Sequence, residues 1–235
     1  MSIILALETS SEMASCALLN GDVVLARESS GVRTHSQSIL PMVQELLAEA
    51  GLALKDCDAI AFGAGPGSFT GVRTACGIAQ GLAYGADLPV VPLVTLAAMA
   101  AACRDLNGAD DVVAILDARM GEVYWAQYHY ADSWQTVSAP ALCAPGEVRP
   151  LAAAGPLSAC GNGLSAYPDA FDPGAFAATL PGVMPHAAQL VTLALAELAA
   201  GRTVSAAEAQ PIYLRNKIAY TSAERQVINA AKAAA

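Results

Sequence analysis

Basic residues are scarce in this chain: 12 Lys and Arg stand against 21 Asp and Glu, for a net charge of −9 and a pI near 4.7. Lys and Arg contacts to phosphate supply most nucleic-acid affinity, so a chain this acidic is a poor nucleic-acid binder by itself. Any RNA it serves must be held mainly by something else. The six cysteines, Cys16, Cys57, Cys76, Cys103, Cys143 and Cys160, form no C-x-x-C pair and no zinc-like cluster. They read as reduced core thiols. The histidines are three, His35, His129 and His186, and they make no H-x-x-x-H or H-E-x-x-H pairing, which argues against a histidine-built metal site. His129 alternates with Tyr128 and Tyr130, which predicts a surface position. No basic, apolar leader is visible, because Glu8 and Glu12 come too early for one. The longest apolar stretch, 88–103, is interrupted by Pro89 and Pro92 and is short for a bilayer span. These absences predict a cytoplasmic protein without membrane contact.

What is present is an apolar, α/β-patterned chain. Hydrophobic residues make up 55% of the 235, enough for one large domain or two modest ones. Strands are predicted over 3–7, 15–19 and 22–28, with Asn20-Gly21 as a hairpin turn. Ile39, Leu40, Val43, Leu46, Leu47 and Ala50 recur at helical spacing and predict a helix over 36–50, ended by Gly51. Pro41 fits that helix in its first turn or with a kink. Strand 58–62, a glycine loop, a helix to about Gly85, strand 89–93 and a helix from Thr95 complete a first half. A second half opens in the same way: an apolar strand over 112–116, then Asp117, a turn at 118–121, strands over 122–130 and 134–139, helices and a strand at 158–160. Each half is a strand, an acid (Glu8 or Asp117), a tight turn and a meander. A meander followed by α-β-α, used twice, is the plan of the two-lobed, ribonuclease H-like superfamily of actin, chaperone ATPases and sugar kinases. The expected division is 1–107 for the N-terminal lobe, 108–220 for the C-terminal lobe, and 221–235 as an Ala-rich tail.

The most informative stretch is Gly65-Pro66-Gly67-Ser68-Phe69-Thr70-Gly71-Val72-Arg73. It joins a buried strand to a helix start, where outward backbone N–H groups can hold an anion. It lacks the lysine of a Walker-A loop and the spacing of a dinucleotide-binding turn. A tight turn for close helix–strand packing explains it equally well. Glu8, Thr9 and Ser10 end the first strand, where nucleotide-splitting members of the superfamily hold Mg²⁺ and phosphate. Glu8, Thr9, Ser10, Gly65, Gly67, Ser68 and Asp117 are therefore the candidate anion, nucleotide or partner contacts. On the second helix Gly71, Ala75, Ile78 and Leu82 share one face, and small residues permit close approach of another helix. With Ile39, Val43 and Leu46 of the first helix they form the predicted partner interface, half of a four-helix contact. No Ser-His-Asp set assembles, and no catalytic residue is assigned.

Five segments in order resemble the TsaB (YeaZ) family of bacterial tRNA-modification proteins. They are Leu5 through Ser10, His35-Ser36-Gln37 ahead of Leu40-Pro41, Gly65 through Arg73, Asp117 through Tyr124, and Pro211-Ile212-Tyr213-Leu214-Arg215. Glu8 departs from the aspartate common in that family. The resemblance implies an actin-like fold and a place in the synthesis of N6-threonylcarbamoyladenosine on tRNA. It implies a non-catalytic partner that binds and stabilises the catalytic subunit TsaD, helps recruit the ATPase TsaE, and pairs with itself when alone. tRNA would be met only through the complex. It leaves open a nucleotide, ATP or ADP, at a subunit junction, with no metal of its own. The metal-binding H-x-x-x-H of TsaD falls on Thr95 and Met99, which cannot replace imidazole. The competing reading is an actin-like ATPase or a metallopeptidase in its own right.

Overall fold

The computed structural model describes residues 2–29 and 35–215. The first half forms β1 (Ile3–Glu8), β2 (Ala14–Asn20), β3 (Val23–Ser29), α1 (His35–Ala50), β4 (Ala59–Gly65), α2 (Phe69–Ala86), β5 (Val90–Val94) and α3 (Thr95–Asn107). The second forms β6 (Asp111–Arg119), β7 (Glu122–Tyr130), β8 (Trp134–Cys143), β9 (Leu157–Cys160), the single-turn α4 (Gly163–Ala166), β10 (Ala178–Leu180) and α5 (Ala187–Ala199). The strand orders are β3-β2-β1-β4-β5 and β10-β9-β6-β7-β8. In each sheet an antiparallel meander is extended by parallel strands beside its first member. The same topology twice is the duplicated, two-lobed actin-like fold that the strand pattern predicts. Residues 216–220, assigned to the second lobe, and the tail 221–235 lie outside the described residues.

Local chemistry accounts for the element boundaries. At the first hairpin Asn20 pairs with Val23, so the two-residue turn is Gly21-Asp22, one residue later than predicted. Gly21 supplies the positive φ of 61° that such a turn needs. β4 is buried along its whole length, as expected of a parallel strand covered on both faces. Pro41 lies past the first turn of α1, on the exposed side of the helix. β10 was not expected; three residues of ordinary polarity carry no strand signal.

Two helices are exchanged between the halves. α3, from the first half, puts Leu96, Met99, Ala100 and Cys103 onto Val112, Ala114 and Leu116 of the second sheet. α5, from the second half, puts Ala187, Leu190, Val191 and Ala194 onto Ile4, Ala6, Ala59 and Ala61 of the first. Five of the six thiols are buried and all six are free. Burial pushes Cys16 up to about 12 and Cys57 up to about 11, which keeps both protonated and inert. His129 is corrected from a surface residue to a half-buried one: its Nδ1 sits 2.9 Å from Oδ1 of the buried Asp111.

Candidate functional site

The end of β1 and the start of α2 are built into each other. The Ser68 amide donates to the Ser10 carbonyl at 2.7 Å, and the Thr9 hydroxyl donates to the Gly71 carbonyl at 2.7 Å. Such close approach requires glycine. A Cβ on Gly71 would stand 1.9 Å from the Thr9 carbonyl oxygen, and one on Gly67 2.6 Å from Ser10 Cβ. Ser68 caps α2, its hydroxyl accepting from the Gly71 amide. The loop glycines therefore serve packing first.

Glu8 points away from the cleft. It is completely buried, Oε1 accepts from the Ser10 amide at 2.5 Å, and Oε2 rests on Gly63 of β4 with no hydrogen-bond partner among the described residues. Burial raises its pKa above the ordinary 4.5, against the smaller opposing pull of the Ser10 side chain and the Ser10 and Thr9 amides. The folded chain thus holds the proton more tightly than the unfolded chain. Stability contributed by neutral Glu8 is complete in acid and declines as pH rises from about 4.5 through the raised value. Glu8→Gln is expected to abolish that decline: equal Tm to the parent at acid pH, higher Tm at neutral pH. Parallel pH–Tm curves for the two proteins would show that Glu8 is not held neutral.

Between the halves lies a cavity of about 500 Å³. Ser10, Gly67, Ser68 and Asp117 line it; Glu8, Thr9 and Gly65, grouped with them on sequence, do not. Gly65 instead gives its amide to the Thr95 hydroxyl at 3.0 Å, on the far side of β4. Asp117 is held on both carboxyl oxygens: its Oδ1 accepts from the Arg119 amide at 2.8 Å and from the Tyr167 hydroxyl at 3.1 Å, and Oδ2 lies 3.2 Å from Arg119 Nη1. Arg119 also meets Glu12 at 3.0 Å, tying the β6–β7 turn to the β1–β2 turn across the cleft. That turn is held open by left-handed Arg119 and Met120, at φ 62° and 59°.

A crossing segment forms the third wall, and sequence reasoning saw it only as a family motif. Val204 bridges to Val90 on the edge of the first sheet, and the Ala209 carbonyl accepts from Gln80 Nε2 at 2.9 Å. The Ile212 amide donates to the Ala64 carbonyl at 2.7 Å, and Arg73 Nε donates to the Tyr213 hydroxyl at 2.7 Å. Arg215 then reaches the second half, with Nη2 at 2.6 Å from Glu122 Oε2.

The predicted partner face is corrected by burial. Ile39, Leu46 and Ala75 are fully buried, Val43 nearly so, and all four pack in the chain's own core with Leu5, Leu7 and Phe62. Gly71 is consumed by Thr9. Ile78 and Leu82 keep partial exposure. The open face of α2 carries instead Gly77, Gly81, Tyr84 and Gly85. Nothing lies within 4 Å of a Cβ built on any of these three glycines, and Tyr84 is 86% exposed.

The acid at the end of β1 is turned into the core, and the described residues contain no group of three or more His, Cys, Asp and Glu placed to hold a metal. Thr95 and Met99 are completely buried, the first bonded to Gly65 and the second packed against Gly161. No helix among the described residues is long and apolar enough to cross a membrane.

Residues 24–228 match the family model of TsaD, tRNA N6-adenosine threonylcarbamoyltransferase. The chain is 40% identical over 226 residues to the tRNA threonylcarbamoyladenosine biosynthesis protein TsaB of Haemophilus influenzae, covering 92% of this chain and 95% of that one. It is 42% identical over 222 residues to TsaB of Escherichia coli, covering 92% and 96%. A crystal structure from Pseudomonas aeruginosa, described as an uncharacterized protein similar to peptidase YEAZ, superposes with a TM-score of 0.87 at 42% identity over 92% of this chain and 100% of that one. YeaZ from the same organism superposes with a TM-score of 0.87 at 40% identity, over 91% and 100%.

Proposed function

The chain belongs to the TsaB family of tRNA threonylcarbamoyladenosine biosynthesis proteins, and we propose that it serves that synthesis as a non-catalytic partner of a TsaD-type subunit. The open face of α2 carries the reading. Glycine inside a helix costs about 1 kcal/mol relative to alanine, and Gly77, Gly81 and Gly85 gain no close contact within the chain in return. Spaced by four, they form one line, and a line of missing side chains lets a second helix approach closely. The neighbouring Tyr84 supplies an exposed aromatic anchor.

Loss of chemistry supports the non-catalytic part. The two positions that match TsaD's histidines are core residues, and Glu8 has left the cleft. The partner set is a TsaD-type subunit and a TsaE-type ATPase, with a homodimer when the chain is alone. The acidic charge fits tRNA being held by the other subunits.

Light-scattering chromatography with the TsaD of the same genome tests it. A heterodimer replacing any homodimer is expected, together with magnesium-dependent ATP hydrolysis at background and unchanged by Asp117→Ala. No association at concentrations well above micromolar would end the partner reading. Hydrolysis abolished by Asp117→Ala would favour an actin-like ATPase.

A further inference from the structure

Two thiols far apart in the sequence are brought together by the fold. Cys103 lies on α3, from the first half, and Cys160 ends β9, in the second sheet; both are completely buried in one core cluster. Helix and strand meet there in register. Asn107 Nδ2 donates to Ser158 Oγ at 3.1 Å, and the same two faces, one turn back along α3 and two residues on along β9, carry Cys103 and Cys160. The Cys160 S–H donates to the Met99 carbonyl, 3.6 Å away, which is the carbonyl that receives the Cys103 amide in an α-helix. Gly161 permits this close approach: a Cβ there would stand 2.4 Å from Met99 Cε.

The pair differs from the other four thiols. Burial raises Cys16, Cys57, Cys76 and Cys143. Cys103 is drawn below its ordinary 9.0, because a thiolate there would accept a hydrogen bond from the Cys160 thiol, and this outweighs burial. Cys160 is held well above 9.0, first by giving that hydrogen bond, then by burial and by the charge of a Cys103 thiolate. Cys103 therefore ionises first. Once its sulfur becomes a neutral sulfenic acid, the thiolate that holds the Cys160 proton in place is gone. Cys103 is also the last buried residue of α3, and Asp105, Leu106 and Asn107 after it are exposed. Fraying of that last turn is enough to admit a small oxidant.

We propose that Cys103 and Cys160 are an oxidisable dithiol, which reduces a hydroperoxide and closes a reversible disulfide between α3 and β9. The Cys103 thiolate attacks one oxygen of hydrogen peroxide. An S–O bond forms, the O–O bond breaks, and the departing hydroxide takes up the proton that Cys103 released and leaves as water. The Cys160 sulfur then attacks the Cys103 sulfur. An S–S bond forms, the S–O bond breaks, and the expelled hydroxide leaves as a second water with the Cys160 proton. The two thiols give up two electrons and the peroxide takes them. The disulfide closes a loop of chain that contains β6, β7 and β8, so it constrains the unfolded chain and pins a first-half helix to the second sheet.

The purified full chain, reduced and then given a small excess of hydrogen peroxide, tests this. It is expected to lose two of its six free thiols, with non-reducing peptide mapping joining Cys103 to Cys160. Tm should rise by roughly 5–10 °C and fall back on treatment with dithiothreitol. Cys160→Ser should stop at a Cys103 sulfenic acid that dimedone captures, and Cys103→Ser should slow thiol loss by roughly tenfold or more. Cys143, the one thiol that is only half-buried, is the internal comparison, since it would react first if exposure alone decided. No loss of thiol, oxidation of Cys143 ahead of the pair, thiol loss without a link between Cys103 and Cys160, or a link that leaves Tm unchanged would each overturn the proposal. The mapping is done on the parent chain and needs no partner subunit, so it fails or succeeds separately from the chromatography above.

Discussion

Gly63→Ala is expected to destabilise the chain by roughly 3 kcal/mol or more, and shortening Glu8 is expected to bring most of that back. A Cβ on Gly63 would stand 1.8 Å from Glu8 Oε2 and 2.7 Å from its Cδ. Neither side can yield: Glu8 is completely buried and tied to the Ser10 amide, and Gly63 sits inside a strand buried on both faces. Forced overpacking of this kind costs roughly 3 kcal/mol or more, a large part of the 5–15 kcal/mol that holds a typical domain. Glu8→Asp removes one methylene and draws the carboxyl back from β4. The double variant Glu8→Asp/Gly63→Ala should therefore recover most of the loss, with a coupling of about 2 kcal/mol in a double-mutant cycle by urea denaturation. A Gly63→Ala protein as stable as its parent would mean that Glu8 does not rest on β4. It would also reopen the cleft to that carboxylate.

Gly81→Arg should abolish association with the TsaD-type partner while the isolated chain folds normally. Gly81 is exposed in mid-helix with open space around it, so an arginine costs the monomer nothing and gains helix propensity. At an interface built on close helix approach, the same side chain would separate the two helices. A weakening of at least roughly 100-fold is expected, the scale of a central interface position. Ala75→Arg is the contrasting variant. Ala75 is completely buried in the first core, so the substitution should destroy the fold rather than test the contact. Titration calorimetry on Gly81→Arg, with Tm as the folding control, separates the two. Unaltered affinity at unaltered Tm would place the contact elsewhere.

The candidate site was legible in the sequence as a list but not as a side. Ser10, Gly67, Ser68 and Asp117 do meet in the cleft. Glu8, next but one to Ser10, does not: β1 ends at Glu8, whose carboxyl packs on Gly63 of β4, and the chain turns before Ser10. The segment at 204–215 shows no periodicity, since it is neither helix nor strand along most of its length, yet it walls the cleft. On α2 the helical spacing identified an apolar face correctly and could not say whether that face met the chain's own sheet or a partner. Burial of Ala75 places that residue on the chain's own core.

By itself, the sequence determined all strands but β10, the long helices of the first half, the repeated meander and the family. These follow from local signals: a two-residue turn needs a positive φ, strands alternate or are uniformly apolar, and helices repeat near 3.6. Only the tertiary structure decided that α3 and α5 cover each other's sheets, that Glu8 turns inward and that α2 leaves a row of glycines open. Each depends on which of two available surfaces wins the burial of apolar area. That choice is made between elements far apart in the chain and is written in no single segment.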